Sequence, residues 1–442
     1  MNPFCTAFLA LSAATVAQAA ESAAPQDLWA HVRNTAGLGE LRGVTAALGP
    51  RGPARVLRIR VTDSVMGRYA WATVPAPQRG WPLARRKVVE ALISNRGDRT
   101  VDVALWAVGR RGWDAVMEFA KLAPGQSRTF ACDLRAAFPD GTPKVDPAQI
   151  SQVQIMLRAP KPGDALEVRL LQASGEAPEW SRPAARLDVP DLAPGRPAPG
   201  RRVRFLLPGD SPSGAYSVLY LPEDWQPGRL YPVVAEYPGN VFYDPSCYST
   251  GRPERCVIGY GITRGLGAIW VSLPFVDPGA RAIVEDGWGD ADATAAYAVR
   301  VLDEICRRFG GDPANLILTG FSRGAIACGY IGLRNHRIAR LWKAMHTCQH
   351  FDGDGWNGAR MPGALERARR FSGREIFHTD NSSDLLRRIM SEAGVSAVYV
   401  ESGLQAHSAA MFLDDRPSTL QLRRWFHNLA GSRPSLQTRP GK

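Results

Sequence analysis

Gly320-Phe321-Ser322-Arg323-Gly324 is the stretch best suited to chemistry. The apolar run Leu316-Ile317-Leu318 leads into it, and the small and apolar residues Ala325-Ile326-Ala327 lead out, so a serine sits at a tight turn between a strand and a helix. Such a turn holds the serine in a strained conformation, lifts its hydroxyl clear of the sheet edge and sets the Arg323 amide at a helix start. A serine hydroxyl attacks a carbonyl when an imidazole takes its proton, a carboxylate orients the imidazole and amides receive the oxyanion. The chemistry implied is acyl transfer. An ordinary tight turn is the competing reading of the same five residues.

The elements needed to hold that turn are written on both sides of it. From Arg201 onward strands and helices alternate. Val203–Leu207 and Tyr216–Leu221 read as an antiparallel opening pair, followed by buried strands at Tyr231–Tyr237 and Gly267–Ser272. A helix spans Ala291–Phe309 with Val301, Ile305 and Phe309 on one stripe. Beyond the turn come strands at Leu341–Met345, Arg374–His378 and Ala397–Val400, and helices at Asp384–Ala393 and Ser418–Leu429. Repeated strand-helix units predict an α/β fold with a mostly parallel sheet whose functional loops gather at the strands' carboxyl ends.

Ahead of this lies a different pattern. Val56–Val61, Val101–Trp106, Ile150–Leu157 and Ala165–Leu171 are period-two segments separated by turns such as Asn95-Arg96-Gly97 and Lys161-Pro162-Gly163, which predicts an antiparallel β-sandwich over 21–174. Residues 175–200 are so rich in proline and glycine that a linker without helix or sheet is expected, leaving 201–442 as the catalytic domain.

The second part resembles the α/β-hydrolases, in particular secreted esterases and polyhydroxyalkanoate-depolymerase-like or predicted-peptidase members that carry Ser, Asp and His in that chain order. The resemblance implies a histidine after the last core strand. Val400-Glu401-Ser402-Gly403-Leu404-Gln405-Ala406-His407 supplies it, so His407 is the expected general base, ahead of His336 and His427. The acid is expected after the preceding strand, at Asp380 or at Asp384, which is also suited to cap the next helix; Asp352 and Asp354 remain as alternatives. The oxyanion is expected to meet the amide of Arg323 and that of Asn240 or Val241, in the loop Glu236-Tyr237-Pro238-Gly239-Asn240. That loop keeps a single glycine where lipases and esterases carry a His-Gly-Gly type sequence, and the Glu236 charge would oppose the oxyanion unless turned aside. The first part resembles, in layout, the jelly-roll modules attached to polysaccharide-active enzymes, with Trp71, Trp81, Trp106 and Trp113 available to stack on sugars or to fill the core.

Two loops combine tryptophan with carboxylates: Asp286 to Asp292 around Trp288, and His350 to Trp356 around Asp352. Trp288, His350, Asp352 and Trp356 are expected to line a cleft suited to a sugar or polyol. Neither loop has the ligand sequence of an EF-hand, and neither His-Glu-x-x-His nor zinc-spaced cysteine pairs occur, so no metal or cofactor is expected.

The net charge of +12 comes from scattered arginines, without the clustered basic and aromatic pattern of a nucleic-acid reader. Residues 1–20 carry an apolar run and end in Ala17-Gln18-Ala19-Ala20, as an export leader would, which predicts a secreted or periplasmic protein without stable membrane insertion. Loss of Cys5 with the leader would leave Cys132, Cys247, Cys256, Cys306, Cys328 and Cys348, with Cys247–Cys256 the favoured disulfide. Together these readings predict an exported serine carboxylic ester hydrolase acting on an acylated polysaccharide or a polyester. A serine peptidase of the same fold, or a carbohydrate-binding protein with a failed triad, are the alternatives.

Overall fold

The computed structural model describes residues 24–431 apart from 51–54, 63–66, 112–113, 182 and 184–185. The expected leader, with Cys5, and Trp113 lie outside the described residues. The chain divides into two compact units, one from residues up to Arg110 with Asp114–Arg182, the other from Arg111–Trp113 with Pro183–Lys442. Among the described residues no helix is long and apolar enough to cross a membrane.

The first unit is built of two antiparallel sheets. One runs in the order Val44–Leu48, Leu57–Val61, Ala165–Glu176, Arg86–Asn95, Ser127–Asp133; the other runs Leu41–Arg42, Tyr69–Pro75, Ile150–Arg158, Val101–Gly109, Ala115–Leu122. Period-two alternation is literal at Leu57–Val61, where Leu57, Ile59 and Val61 are buried and Arg58 and Arg60 exposed. The turn after Asn95 is held by that residue's own side chain, whose Oδ1 accepts from Gly97 N and whose Nδ2 donates to the Arg99 and Leu122 carbonyls. Trp71, Trp81 and Trp106 are 2%, 4% and 2% exposed, so they are interior packing and present no stacking platform.

The second unit is organised on one nine-stranded sheet, in the order Leu192–Ala193, Arg202–Phe205, Ser217–Tyr220, Ile269–Ser272, Tyr231–Tyr237, Gly311–Phe321, Trp342–Cys348, Glu375–Thr379, Ser396–Val400. Arg202–Phe205, Ser217–Tyr220 and Ile269–Ser272 pair antiparallel, and from Ile269–Ser272 to the far edge every pairing is parallel. The strand at Leu192–Ala193 corrects the expectation of an unstructured 175–200. It pairs with Arg202 and Val203 at the sheet edge, where flanking prolines cost no ladder bond. Leu187 and Val189 pack against the buried cluster of Tyr220, Cys256, Tyr260 and Trp270.

The helix Ala291–Phe309 begins at Asp290, whose carboxylate accepts from Ala293 N, and ends at Gly310 in the left-handed region. Its Val301, Leu302, Ile305 and Phe309 stripe is buried against the sheet. Inside the parallel sheet runs a polar ladder. His346 lies between Thr319 Oγ1 at 2.7 Å and Thr379 Oγ1 at 3.1 Å, and His378 Nδ1 lies 2.8 Å from Thr347 Oγ1. Both histidines are buried. Burial and each other's proximity push His346 down to about 3, and burial pushes His378 down to about 4, so both are neutral.

Candidate active site

The carboxyl ends of six adjacent parallel strands, at Ser272, Tyr237, Phe321, Cys348, Thr379 and Val400, lie along one edge, and the loops of the site leave from there. Ser322 stands between the strand Gly311–Phe321 and the helix Arg323–Tyr330 at φ 56° and ψ −122°, a strained conformation for a residue with a side chain. Its glycine neighbours are dictated by space. A Cβ on Gly320 would collide with the backbone of Gly324, and one on Gly324 with the Tyr237 carbonyl. The loop after Tyr231–Tyr237 therefore crosses directly over the start of the helix.

His407 reaches this point from the loop after Ser396–Val400. Its Nε2 lies 3.0 Å from Ser322 Oγ. The loop is tied down by Gln349, in the left-handed region at φ 67°, whose side-chain amide donates to Ala406 O at 2.8 Å. The Phe321 ring packs 4.6 Å from the imidazole, and the His350 ring meets it edge-on at 5.6 Å. Burial first, and His350 second, push His407 down to about 4, which keeps it a free base at neutral pH.

Neither expected acid touches this imidazole. Asp380 accepts from Ser402 N at 2.5 Å and from Ser402 Oγ at 2.6 Å, so its hydrogen bonds brace the His407 loop five residues upstream of the ring. Asp384 is exposed in the first turn of the helix Asp384–Ala393, and the N-cap is Ser383, whose Oγ accepts from Leu386 N. Asp352 is 1% exposed and bound by Arg367 through bonds of 2.6 and 2.8 Å. Asp354 accepts from His350 Nδ1 at 2.9 Å.

Around the oxyanion position the amides divide. Arg323 N opens its helix, where no preceding turn supplies an acceptor. Val241 N donates to Glu285 O at 3.0 Å, which removes it from the expected donors. Asn240 keeps its amide uncommitted while its side chain donates to Asp286 and accepts from Gly287 N. The Glu236 charge is turned aside: its carboxylate accepts from the amides of Val257, Ile258 and Gly259 and from Trp270 Nε1. Burial raises its pKa and those four donors oppose the rise.

The Arg323 side chain is the feature sequence reasoning missed. It is 1% exposed, its planar face lies 3.9 Å from the centre of the Phe275 ring, and it donates to the carbonyls of Gly239, Gly251, Glu285 and Gly287 at 2.8 to 2.9 Å. Burial lowers its pKa to about 9. No local pattern announces this, because its acceptors are backbone atoms 36 to 84 residues away.

The expected cleft residues separate. His350 is half-exposed beside His407, and Trp356 is half-buried. Trp288 is buried, stacked 4.7 Å from Tyr330 and edge-on to Trp356, with Nε1 donating to Asn357 O, so it belongs to the core, whereas Asp352, though buried, lines a cavity beside His350. The favoured disulfide is absent. Cys247 and Cys256 are both free thiols, since Cys247 lies in a hairpin already held by its ladder with Val241–Asp244 and Cys256 packs beside Trp270.

No protein-family profile matches the chain, and no curated protein matches it. Solved structures that it resembles include esterases. A thermostable esterase from Pseudomonas putida is 16% identical, with 54% of this chain and 83% of that chain covered and a TM-score of 0.36. A carboxylesterase from Lactobacillus plantarum is 15% identical, covering 50% and 95%, with a TM-score of 0.34. An acetyl ester-xyloside bifunctional hydrolase from Caldicellulosiruptor lactoaceticus is 14% identical, covering 54% and 100%, with a TM-score of 0.38.

Proposed function

We propose that this chain is an exported serine carboxylic ester hydrolase of α/β-hydrolase type, acting on an acylated polysaccharide or a polyester. The observation that carries the reading is Ser322, strained at φ 56° with its Oγ 3.0 Å from a neutral His407 Nε2. In the proposed reaction Ser322 Oγ attacks the ester carbonyl as His407 takes its proton, and the amides of Arg323 and Asn240 receive the oxyanion. His407 then returns the proton to the departing alcohol, and water repeats the sequence to free the acid and Ser322. Asp380 acts through Ser402 as a positioning residue for the His407 loop. Esters outrank amides because an alkoxide leaves more readily than an amide nitrogen.

The test is steady-state hydrolysis by the mature protein and by Ser322→Ala across acetylated xylan, a methyl glucuronate ester, a feruloyl ester, a short polyhydroxyalkanoate and a peptide panel. The expected result is one ester class cleaved by the parent and lost in the variant. Cleavage of peptides alone, or a rate that survives in Ser322→Ala, overturns the proposal.

A further inference from the structure

Gln349 holds its backbone at φ 67°, in the left-handed region, where glycine is the ordinary occupant and a side chain is strained. A side chain kept in such a conformation points to a task that glycine could not perform. Its hydrogen bonds identify the task. Gln349 directly follows Cys348, the last residue of the strand Trp342–Cys348, and the Cys348 carbonyl accepts from Ser322 N at 3.3 Å. Gln349 N donates to Thr379 O at 2.8 Å, which extends the pairing with Glu375–Thr379 by one bond. Its side chain, 8% exposed, then crosses to the loop after Ser396–Val400 and donates from Nε2 to Ala406 O at 2.8 Å.

Ala406 immediately precedes His407. Its carbonyl also accepts from Ser408 N at 3.1 Å, a bond that spans His407 itself. Both lone pairs of one carbonyl are therefore in use. The bond from Ser408 closes a three-residue turn with His407 at its apex, and the bond from Gln349 fixes the peptide plane from which that turn starts. The imidazole has little else to aim it. Among the described residues no carboxylate bonds it, and Asp380 grips the loop only at Ser402. Two consecutive residues at one strand end thus hold both members of the reacting pair, Cys348 the serine and Gln349 the histidine.

We propose that Gln349 is a positioning residue for the reaction at Ser322: its amide aims the His407 imidazole, the part that a carboxylate bonded to the ring plays in a Ser-His-Asp triad. The assignment rests on the serine esterase reading and names the residue that orients its base. Changing Gln349 leaves Ala406 O its bond from Ser408 N, so no carbonyl is orphaned and the fold is expected to persist.

The test compares p-nitrophenyl acetate hydrolysis by the parent protein, by Gln349→Met, which is of similar length and cannot donate, and by Gln349→Asn, which keeps the amide and tolerates the left-handed region but falls one methylene short. In both variants kcat is expected to fall by about tenfold to a hundredfold with KM within about twofold, because a misaimed imidazole slows the chemistry and leaves binding intact. A kcat within about twofold of the parent in either folded variant overturns the proposal, as does a loss carried wholly by KM. Failure of both variants to fold would make Gln349 a residue of the fold alone and overturns it too. A second measurement needs no turnover. The His407 Cε1–H resonance, assigned by its disappearance in His407→Gln, feels the Phe321 and His350 rings at 4.6 and 5.6 Å and so reports the direction of the imidazole. It is expected to move in Gln349→Met while that of His31, in the first unit, stays in place. If the parent cuts no ester, the esterase reading fails on its own and this resonance decides the assignment: a moved signal sustains the positioning role, and an unmoved one removes it.

Discussion

Lowering the pH from 7 to 5 is expected to weaken the fold through the histidines built into the parallel sheet. His346 is fully buried between two threonine hydroxyls, and its pKa falls from 6.5 to about 3. As the pH drops through 6.5 the unfolded chain binds a proton at this residue and the folded chain does not, so stability is present in full above about 6.5 and is lost as pH falls toward about 3. Between pH 6.5 and 5 the loss is about 2 kcal/mol, at about 1.36 kcal/mol per pH unit. His378, pushed down to about 4, adds a second loss of similar size in the same window. His407, also held down to about 4, loses a similar amount in that window, and denaturant unfolding at constant ionic strength, followed by tryptophan fluorescence at pH 7 and pH 5, measures the sum. His346→Gln, which keeps a polar partner for the threonines and cannot titrate, should lose about 2 kcal/mol less than the parent over that interval. Equal acid sensitivity in parent and variant would refute the argument.

Gly324→Ala drives a methyl group into the Tyr237 carbonyl and should destabilise by about 3 kcal/mol, read as a lowered melting temperature, with the proposed ester hydrolysis lost. Arg323→Lys cannot span the carbonyls of Gly239, Gly251, Glu285 and Gly287 together, and by loosening the loop that offers the Asn240 amide it should lower kcat by about a hundredfold. A variant within twofold of the parent would separate the guanidinium from the oxyanion loop. Asp380→Asn distinguishes bracing from direct triad chemistry: a fall in kcat of about tenfold fits a residue that holds Ser402, whereas about 10⁴-fold would mean that the carboxylate bonds His407 during turnover. The pH profile of kcat/KM should rise through pH about 4 and stay level to neutrality, as His407 becomes a free base.

What was legible in the chain was whatever rests on local sterics and period. The elbow could be read because only glycine fits at 320 and 324, and the helices Ala291–Phe309 and Asp384–Ala393 were legible to the residue because an apolar stripe starts and stops within each. The chain order that the α/β-hydrolase resemblance implies nominated His407, whose Nε2 lies 3.0 Å from Ser322 Oγ. Features decided by distant neighbours were not legible. Tryptophan beside carboxylates looks the same in sequence whether it faces a cleft or, as Trp288 does, stacks inward on Tyr330. Asp352 reads as a free acid until Arg367 arrives from the helix Gly363–Arg369. Ser383 and Asp384 are both good caps, and only the backbone path out of Glu375–Thr379 selects Ser383. His346 and His378 lie in short apolar strands where nothing local marks them as rungs of a cross-strand ladder.

The residue after Ser322 joins chain segments that are otherwise remote. Arg323 gathers Gly239, Gly251 and the stretch from Val284 to Gly287 around a single cation. Until all of them have arrived, that cation has too few acceptors to leave water, so the turn that presents Ser322 is completed only with these segments in place. Any hydrolysis that depends on Ser322 is therefore expected of the fully assembled sheet edge and not of its separated segments.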